Sequence, residues 1–306
     1  MRVGVVDLGT NSTRLLVADV RDGQVDEVAR EQVITRLGEG VDERRKLLPV
    51  ALARVRNVLS DYRRELERLG AERVLTLATS SVRDADNGEA FLGEIEWSYG
   101  FTTRLLSGEE EAELTRRGVV GGRAVGDETV VLDIGGGSTE LITARERVSI
   151  DLGSVRLTER HLHSDPPAPE ELDAAAQAVS KALPEWHPTE AIGVAGTVTT
   201  LAALELREYD AERIHGYHLS RDAVARQLER LAALPLVERR ELPGLDPDRA
   251  PVIVAGAVIV REFLDRYGLQ ELEVSERDLL HGAALEAAEL PEPQEGDAPP
   301  GAYTCC

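Results

Sequence analysis

Apolar residues arrive along this chain in two rhythms. Over 2–8 (RVGVVDL) and 13–20 (TRLLVADV) they run almost unbroken and rich in valine and leucine, as buried strands do, and a third strand is expected near 25–35. Over Pro49–Leu69 they recur at helical spacing among arginines and glutamates, and Gly70 ends the pattern, which predicts a long amphipathic helix. RVLTLATSSVRDADN (73–87) reads as a buried strand and a polar loop leading into a helix. Arg104–Leu106 reads as another strand. SGEEEAELTRRGVV reads as a helix opened by a capping box, Ser107 with Glu110.

The rhythm breaks at VGGRAVGDE (120–128) and then starts again. Strands are expected near 129–134, 138–144 and 147–152, and a helix from about Val155. A Pro-rich loop (SDPPAPE) with a helix, the strand and loop of AIGVAGTVTTLAAL, and further helices to about 290 follow. The apolar run APVIVAGAVIV (250–260) is too short to span a bilayer and reads as a buried helix. Strands first and helices later, twice over, predict an α/β chain of two lobes, 1–125 and 126–290, with a cleft between them. The helix near 278–291 is free to pack back on the first lobe. From 291 the sequence PEPQEGDAPPGAYTCC has the composition of a disordered tail.

The repetition extends to single residues. VVDLGTNSTRLL (5–16) lies without a gap on VLDIGGGSTELI (131–142), matching Val5 to Val131, Asp7 to Asp133, Gly9 to Gly135, Ser12 to Ser138, Thr13 to Thr139 and Leu15 to Leu141. Paired apolar strands would reproduce the valines and leucines by chance, but Asp-x-Gly with Ser-Thr at fixed spacing indicates an internal duplication. Three consecutive glycines cost backbone entropy, so they mark either a place where the chain needs φ > 0, as in a plain hairpin turn, or one where something approaches the backbone closely. Small residues in both loops (Thr10, Asn11, Ser12; Gly135, Gly136, Gly137, Ser138) let N–H groups converge on an anion. Asp7 and Asp133 stand just before these loops, where a carboxylate suits hydrated Mg²⁺.

Charge narrows the classes further. With 35 Lys and Arg against 56 Asp and Glu, the formal charge is −21, which argues against non-specific binding of nucleic acid or a membrane surface. An anionic substrate must then be held locally, by arginines, backbone N–H groups and a divalent cation. Lysine is nearly absent, only Lys46 and Lys181, which we read as base composition of the genome. The adjacent Cys305 and Cys306 cannot staple a fold, and a strand begins directly after Met1-Arg2, so a cytoplasmic protein is expected.

The two loops resemble those of the sugar kinase/actin/heat-shock ATPase superfold, which implies two ribonuclease-H-like lobes. In finer detail the chain resembles the exopolyphosphatase/guanosine pentaphosphate phosphohydrolase family. The resemblance rests on VGVVDLGTNSTRLLVADV, LATSSVRDADN, LLSGEEEAELTRRGV, VVLDIGGGSTELI, DLGSVRLTER, GVAGTVTTLAAL, IHGYHLS and VSERDLLHG, in the family's order to about residue 290. It implies a glutamate base activating water, assigned to Glu111, with Glu110 as the alternative that also fits a capping role. It implies Arg14 and Arg83 on phosphoryl oxygens, and Mg²⁺ or Mn²⁺ on Asp133 with Asp7 as a second candidate.

Implied substrates are inorganic polyphosphate and guanosine pentaphosphate, and the implied setting is the stringent response, with regulatory alarmone binding and a homodimer as further expectations. The chain lacks the C-terminal helical domains of long members, which implies shorter polyphosphate chains. Pro251 stands where the family usually has an acidic residue, so that helix is not expected to line substrate. His215 with His218 and His161 with His163 have metal-like spacing but are read as polar packing. Two other readings stay open: a kinase or ATPase holding adenosine at GVAGT (193–197), and a non-catalytic sensor of alarmone or polyphosphate.

Overall fold

A computed structural model describes residues 1–121 and 125–291. The expected junction at 120–128 lies partly outside the described residues, and the expected tail with Cys305 and Cys306 lies outside them beyond Pro291. The described chain forms two units, residues 1–121 with 279–291, and residues 125–278.

In the first unit β1 (Arg2–Leu8), β2 (Ser12–Arg21) and β3 (Gln24–Ile34) make an antiparallel meander. β4 (Arg73–Ala78) pairs parallel to β1, and β5 (Thr102–Leu105) parallel to β4, giving the order β3-β2-β1-β4-β5. Helices α1 (Val41–Arg44), α2 (Pro49–Leu69), α3 (Ser80–Arg83), α4 (Gly88–Tyr99) and α5 (Gly108–Val120) connect and cover the strands. Successive residues of a strand face opposite sides of the sheet, so both faces of β1 and β2 are apolar. Val6, Leu8, Leu15 and Val17 pack with Val55, Leu59, Tyr62 and Leu66 of α2, while Val3, Val5, Leu16 and Ala18 belong to a second cluster.

The second unit repeats the plan. β6 (Thr129–Ile134), β7 (Thr139–Ile142) and β8 (Arg147–Ile150) form the meander, and β9 (Glu190–Val194) runs parallel to β6. β10 (His218–Ser220) is an added edge on β11 (Glu271–Val274), for a sheet order of β10-β11-β9-β6-β7-β8. Around it stand α6 (Ser154–His161), α7 (Pro169–Ala182), α8 (Ala195–Leu206), α9 (Ala211–Ile214), α10 (Arg221–Ala233), α11 (Leu236–Arg239) and α12 (Ile253–Tyr267). The run expected as a buried helix is α12, buried at every position from Ile253 to Val260. The last helix, α13 (Leu279–Glu289), belongs to the first unit, where Leu280, Ala283, Ala284 and Ala287 close the cluster of Val3, Val5, Leu75 and Leu77.

Both units thus have the ribonuclease-H-like strand order of the actin-like ATPase superfold. The sequence reading differs from the structure where elements are short. The polar loop expected after β4 contains a helical turn, α3, whose Ser80, Ser81 and Val82 are buried. β10 and β11, of 3 and 4 residues, were not expected as strands because so few residues establish no alternation. Among the described residues no helix is long and apolar enough to cross a membrane.

Candidate active site

The duplicated motif folds the same way twice. Gly9 N–H donates to Ser12 O at 3.0 Å between β1 and β2, and Gly135 N–H donates to Ser138 O at 3.0 Å between β6 and β7. The segment after each third strand then ties down the loop by its carbonyls. In the first unit Thr35 and Arg36 N–H donate to Asn11 O (3.0 and 2.9 Å), and Gly38 N–H donates to Thr10 O (2.9 Å). In the second unit Ser154 N–H donates to Gly135 O (3.0 Å), and Val155 and Arg156 N–H donate to Gly136 O (2.9 and 3.1 Å).

These straps need glycine. A Cβ on Gly38 would stand 2.3 Å from Thr10 Cγ2, and one on Gly153 would stand 2.4 Å from the carbonyl carbon of Gly136. The sequence reading missed both segments as parts of the site. The signal was there: Leu37-Gly38 and Leu152-Gly153 each follow a third strand.

With the carbonyls turned into the straps, the N–H groups of Thr10, Asn11, Gly136 and Gly137 donate to no acceptor among the described residues. Thr10 and Asn11 are only 7 % and 8 % exposed, and Gly137 is also buried. Buried backbone donors without acceptors are rare in proteins and suit an anion, which makes each turn a candidate anion cradle.

The two cradles differ in charge at one register position. Asp7 lies opposite Arg14, and Asp133 lies opposite Glu140. Arg14 Nε donates to Asp7 Oδ2 at 2.8 Å, with Nη2 also at 2.8 Å. Arg14, expected on phosphoryl oxygens, is therefore bound to Asp7, and Asp7, expected as a second metal ligand, is neutralised by it. In the second unit two carboxylates share the equivalent place. Asp133 is 7 % exposed, and Glu140, fully buried, accepts from Ser149 Oγ at 2.7 Å through Oε1. Such oxygen donors fit a hard divalent cation. Glu140 was not singled out in the sequence, although the alignment of the two motifs sets it on Arg14.

The helical turn α3 links the first cradle to α5. Ser80 Oγ lies 2.9 Å from Thr10 Oγ1, while Arg83 Nη1 donates to Leu106 O at 2.6 Å and lies 3.9 Å from Glu111 Oε2. Glu111 falls on the buried face of α5 with Leu114 and Thr115, whereas Glu109 is exposed. Glu110 closes the capping box: its Oε2 accepts from Ser107 N–H (2.8 Å) and Oγ (2.9 Å), and its Oε1 accepts from Arg104 Nη2 (2.7 Å). The Ser107 N–H first, then Arg104, lower its carboxyl pKa to about 2.

The glycines of GVAGT are occupied by packing. Gly193 lies against Val198 and Leu272, and a Cβ on Gly196 would stand 2.1 Å from the guanidinium of Arg249. His218 pairs with Glu271 at 2.8 Å, and His215 Nδ1 accepts from Glu276 N–H at 3.3 Å.

Two α/β units of this strand order, each opening on a strapped glycine turn, place the chain in the actin-like superfold. Residues 16–290 match the model of the Ppx/GppA phosphatase family, and the chain belongs to that family. Exopolyphosphatase 2 of Mycobacterium tuberculosis is 42 % identical over 94 % of this chain and 98 % of its own. A crystal structure described as an exopolyphosphatase-like protein superposes with a TM-score of 0.87 at 31 % identity, covering 94 % of this chain and 99 % of that one. The Aquifex aeolicus PPX-GPPA enzyme superposes with a TM-score of 0.80, again at 31 % identity and 94 % and 99 % coverage.

Proposed function

We propose that the protein hydrolyses the terminal phosphoanhydride of inorganic polyphosphate and releases orthophosphate. The observation that carries this reading is the pair of strapped turns with N–H groups left over, at Thr10 and Asn11 and at Gly136 and Gly137. Each cradle takes phosphate oxygens, and Arg83 adds a planar cation beside Glu111. Water attacks the terminal phosphorus, the bridging P–O bond breaks towards the remaining chain, and Glu111 accepts the water proton. Glu110, held at about 2 by its cap and Arg104, is too weak a base for that step. Asp133 and Glu140 would hold Mg²⁺ or Mn²⁺, which when bound neutralises charge on the transferring phosphoryl group. Positioning and electrostatics then supply most of the acceleration.

The name of the M. tuberculosis relative supports polyphosphate as substrate. Guanosine pentaphosphate carries the same terminal anhydride and is a second substrate for the test. Arg249 lies over Gly196, where a kinase would need room for adenosine.

Phosphate release with Mg²⁺ from polyphosphate, guanosine pentaphosphate and ATP tests the proposal. Release from polyphosphate is expected to fall by about 10²–10⁴ in Glu111→Gln, with substrate binding retained, and to survive in Glu110→Gln. Turnover of ATP alone, or a fully active Glu111→Gln, would overturn it.

A further inference from the structure

In a chain of formal charge −21, many arginines among the described residues pair with a carboxylate. In the first unit Arg2 meets Asp19, Arg54 meets Glu39, Arg56 meets Glu94 and Arg63 meets Glu67. Arg44, Arg45 and Lys46 are consecutive and exposed, yet none forms an ion pair among the described residues, although Asp42 and Glu43 adjoin them.

The backbone of this run is fastened at its C-terminal side to the segment that follows α3. Asp86 N–H donates to Arg45 O at 2.8 Å, and Asn87 both accepts from Leu47 N–H (2.9 Å) and donates to Leu47 O (3.1 Å). Asp86 is three Cα steps, at most about 11 Å, from Arg83. On the other side α1 begins just beyond Gly38, which straps the first cradle through Thr10 O. An exposed charge run is ordinarily a solvated face. A cationic one left without an ion-pair partner among the described residues, in so acidic a chain and braced between the cradle strap and the Arg83 segment, has a more specific use.

We propose that Arg44, Arg45 and Lys46 form a subsite for the body of the polyphosphate chain, a few units beyond the reacting end. It rests on the polyphosphatase reading for the identity of the anion. A chain too short to reach from the cradle gains nothing from these cations, and one that reaches them gains once, with no further advantage as it lengthens.

The test is the steady-state kinetics of an Arg44→Ala/Arg45→Ala/Lys46→Ala variant on tripolyphosphate and on medium-chain polyphosphate at several salt concentrations. KM for the medium chain is expected to rise about tenfold and to lose part of its salt dependence, with kcat and the tripolyphosphate KM unchanged. A variant with lysine at all three positions should recover the wild-type KM, and an unchanged melting temperature excludes unfolding. Equal KM changes for both substrates, or none, overturn the proposal. If wild type releases phosphate from no polyphosphate, the functional reading fails instead. Fluorescence anisotropy with labelled medium-chain polyphosphate then decides the subsite by whether the variant still binds more weakly.

Discussion

Neighbouring glutamates on one turn of α5 meet different surroundings: Glu111 is buried, and Glu110 closes the capping box. Glu110 is spent on Ser107 and Arg104, so its carboxyl stays ionised to about 2 against an ordinary value of 4.5. A depressed folded pKa stabilises the fold fully above the unfolded value, and the gain fades as pH falls through 4.5 towards about 2. Glu110→Gln keeps an acceptor for the cap but removes the charge. Its melting temperature is expected to lie below wild type at neutral pH, with a gap that closes as pH drops from about 5 towards 3. A gap independent of pH would assign the stability to the cap hydrogen bonds alone. The same residue-scale logic separates the cradles. Arg14 neutralises Asp7, whereas the equivalent Glu140 adds a second carboxylate beside Asp133.

Close approach of backbones decides what the elements can do. α13 meets α5 so closely that a Cβ on Gly282 would stand 1.9 Å from Leu114 O, a backbone atom with little freedom to move. Gly93, on the exposed side of α4, has nothing within 4 Å of its missing Cβ. Gly282→Ala is expected to cost about 1–3 kcal/mol, whereas Gly93→Ala should add about 0.5–1 kcal/mol by restricting the unfolded chain. Urea unfolding of the two variants checks both signs. A neutral Gly282→Ala would mean that α13 can slide on α5. Such contacts are poorly legible in sequence. The glycines are visible, but the element that each one faces is not.

At the scale of the whole molecule, the first unit is discontinuous in sequence. Its sheet is made by residues 2–105, but one face of that sheet is covered by α13, from the far end of the described chain. A chain ending at Asp278 would leave Val3, Val5, Leu75 and Leu77 without Leu280, Ala283 and Ala284. Hydrogen exchange is expected to show lost protection across β1–β5 in that truncation. Retained protection there would show that α13 only decorates the unit.

The sequence by itself determined the longer elements and the duplication, because strand and helix periodicity and the Asp-x-Gly…Ser-Thr spacing are local. It also marked the turn residues and the glutamate pair of α5. Only the tertiary structure decided that the segments after β3 and β8 strap the turns, that α3 lies between Thr10 and Glu111, and that Arg14 belongs to Asp7. Each of these is a contact between residues distant along the chain, or a choice among several available partners. Register and packing make that choice, and a one-dimensional pattern carries neither.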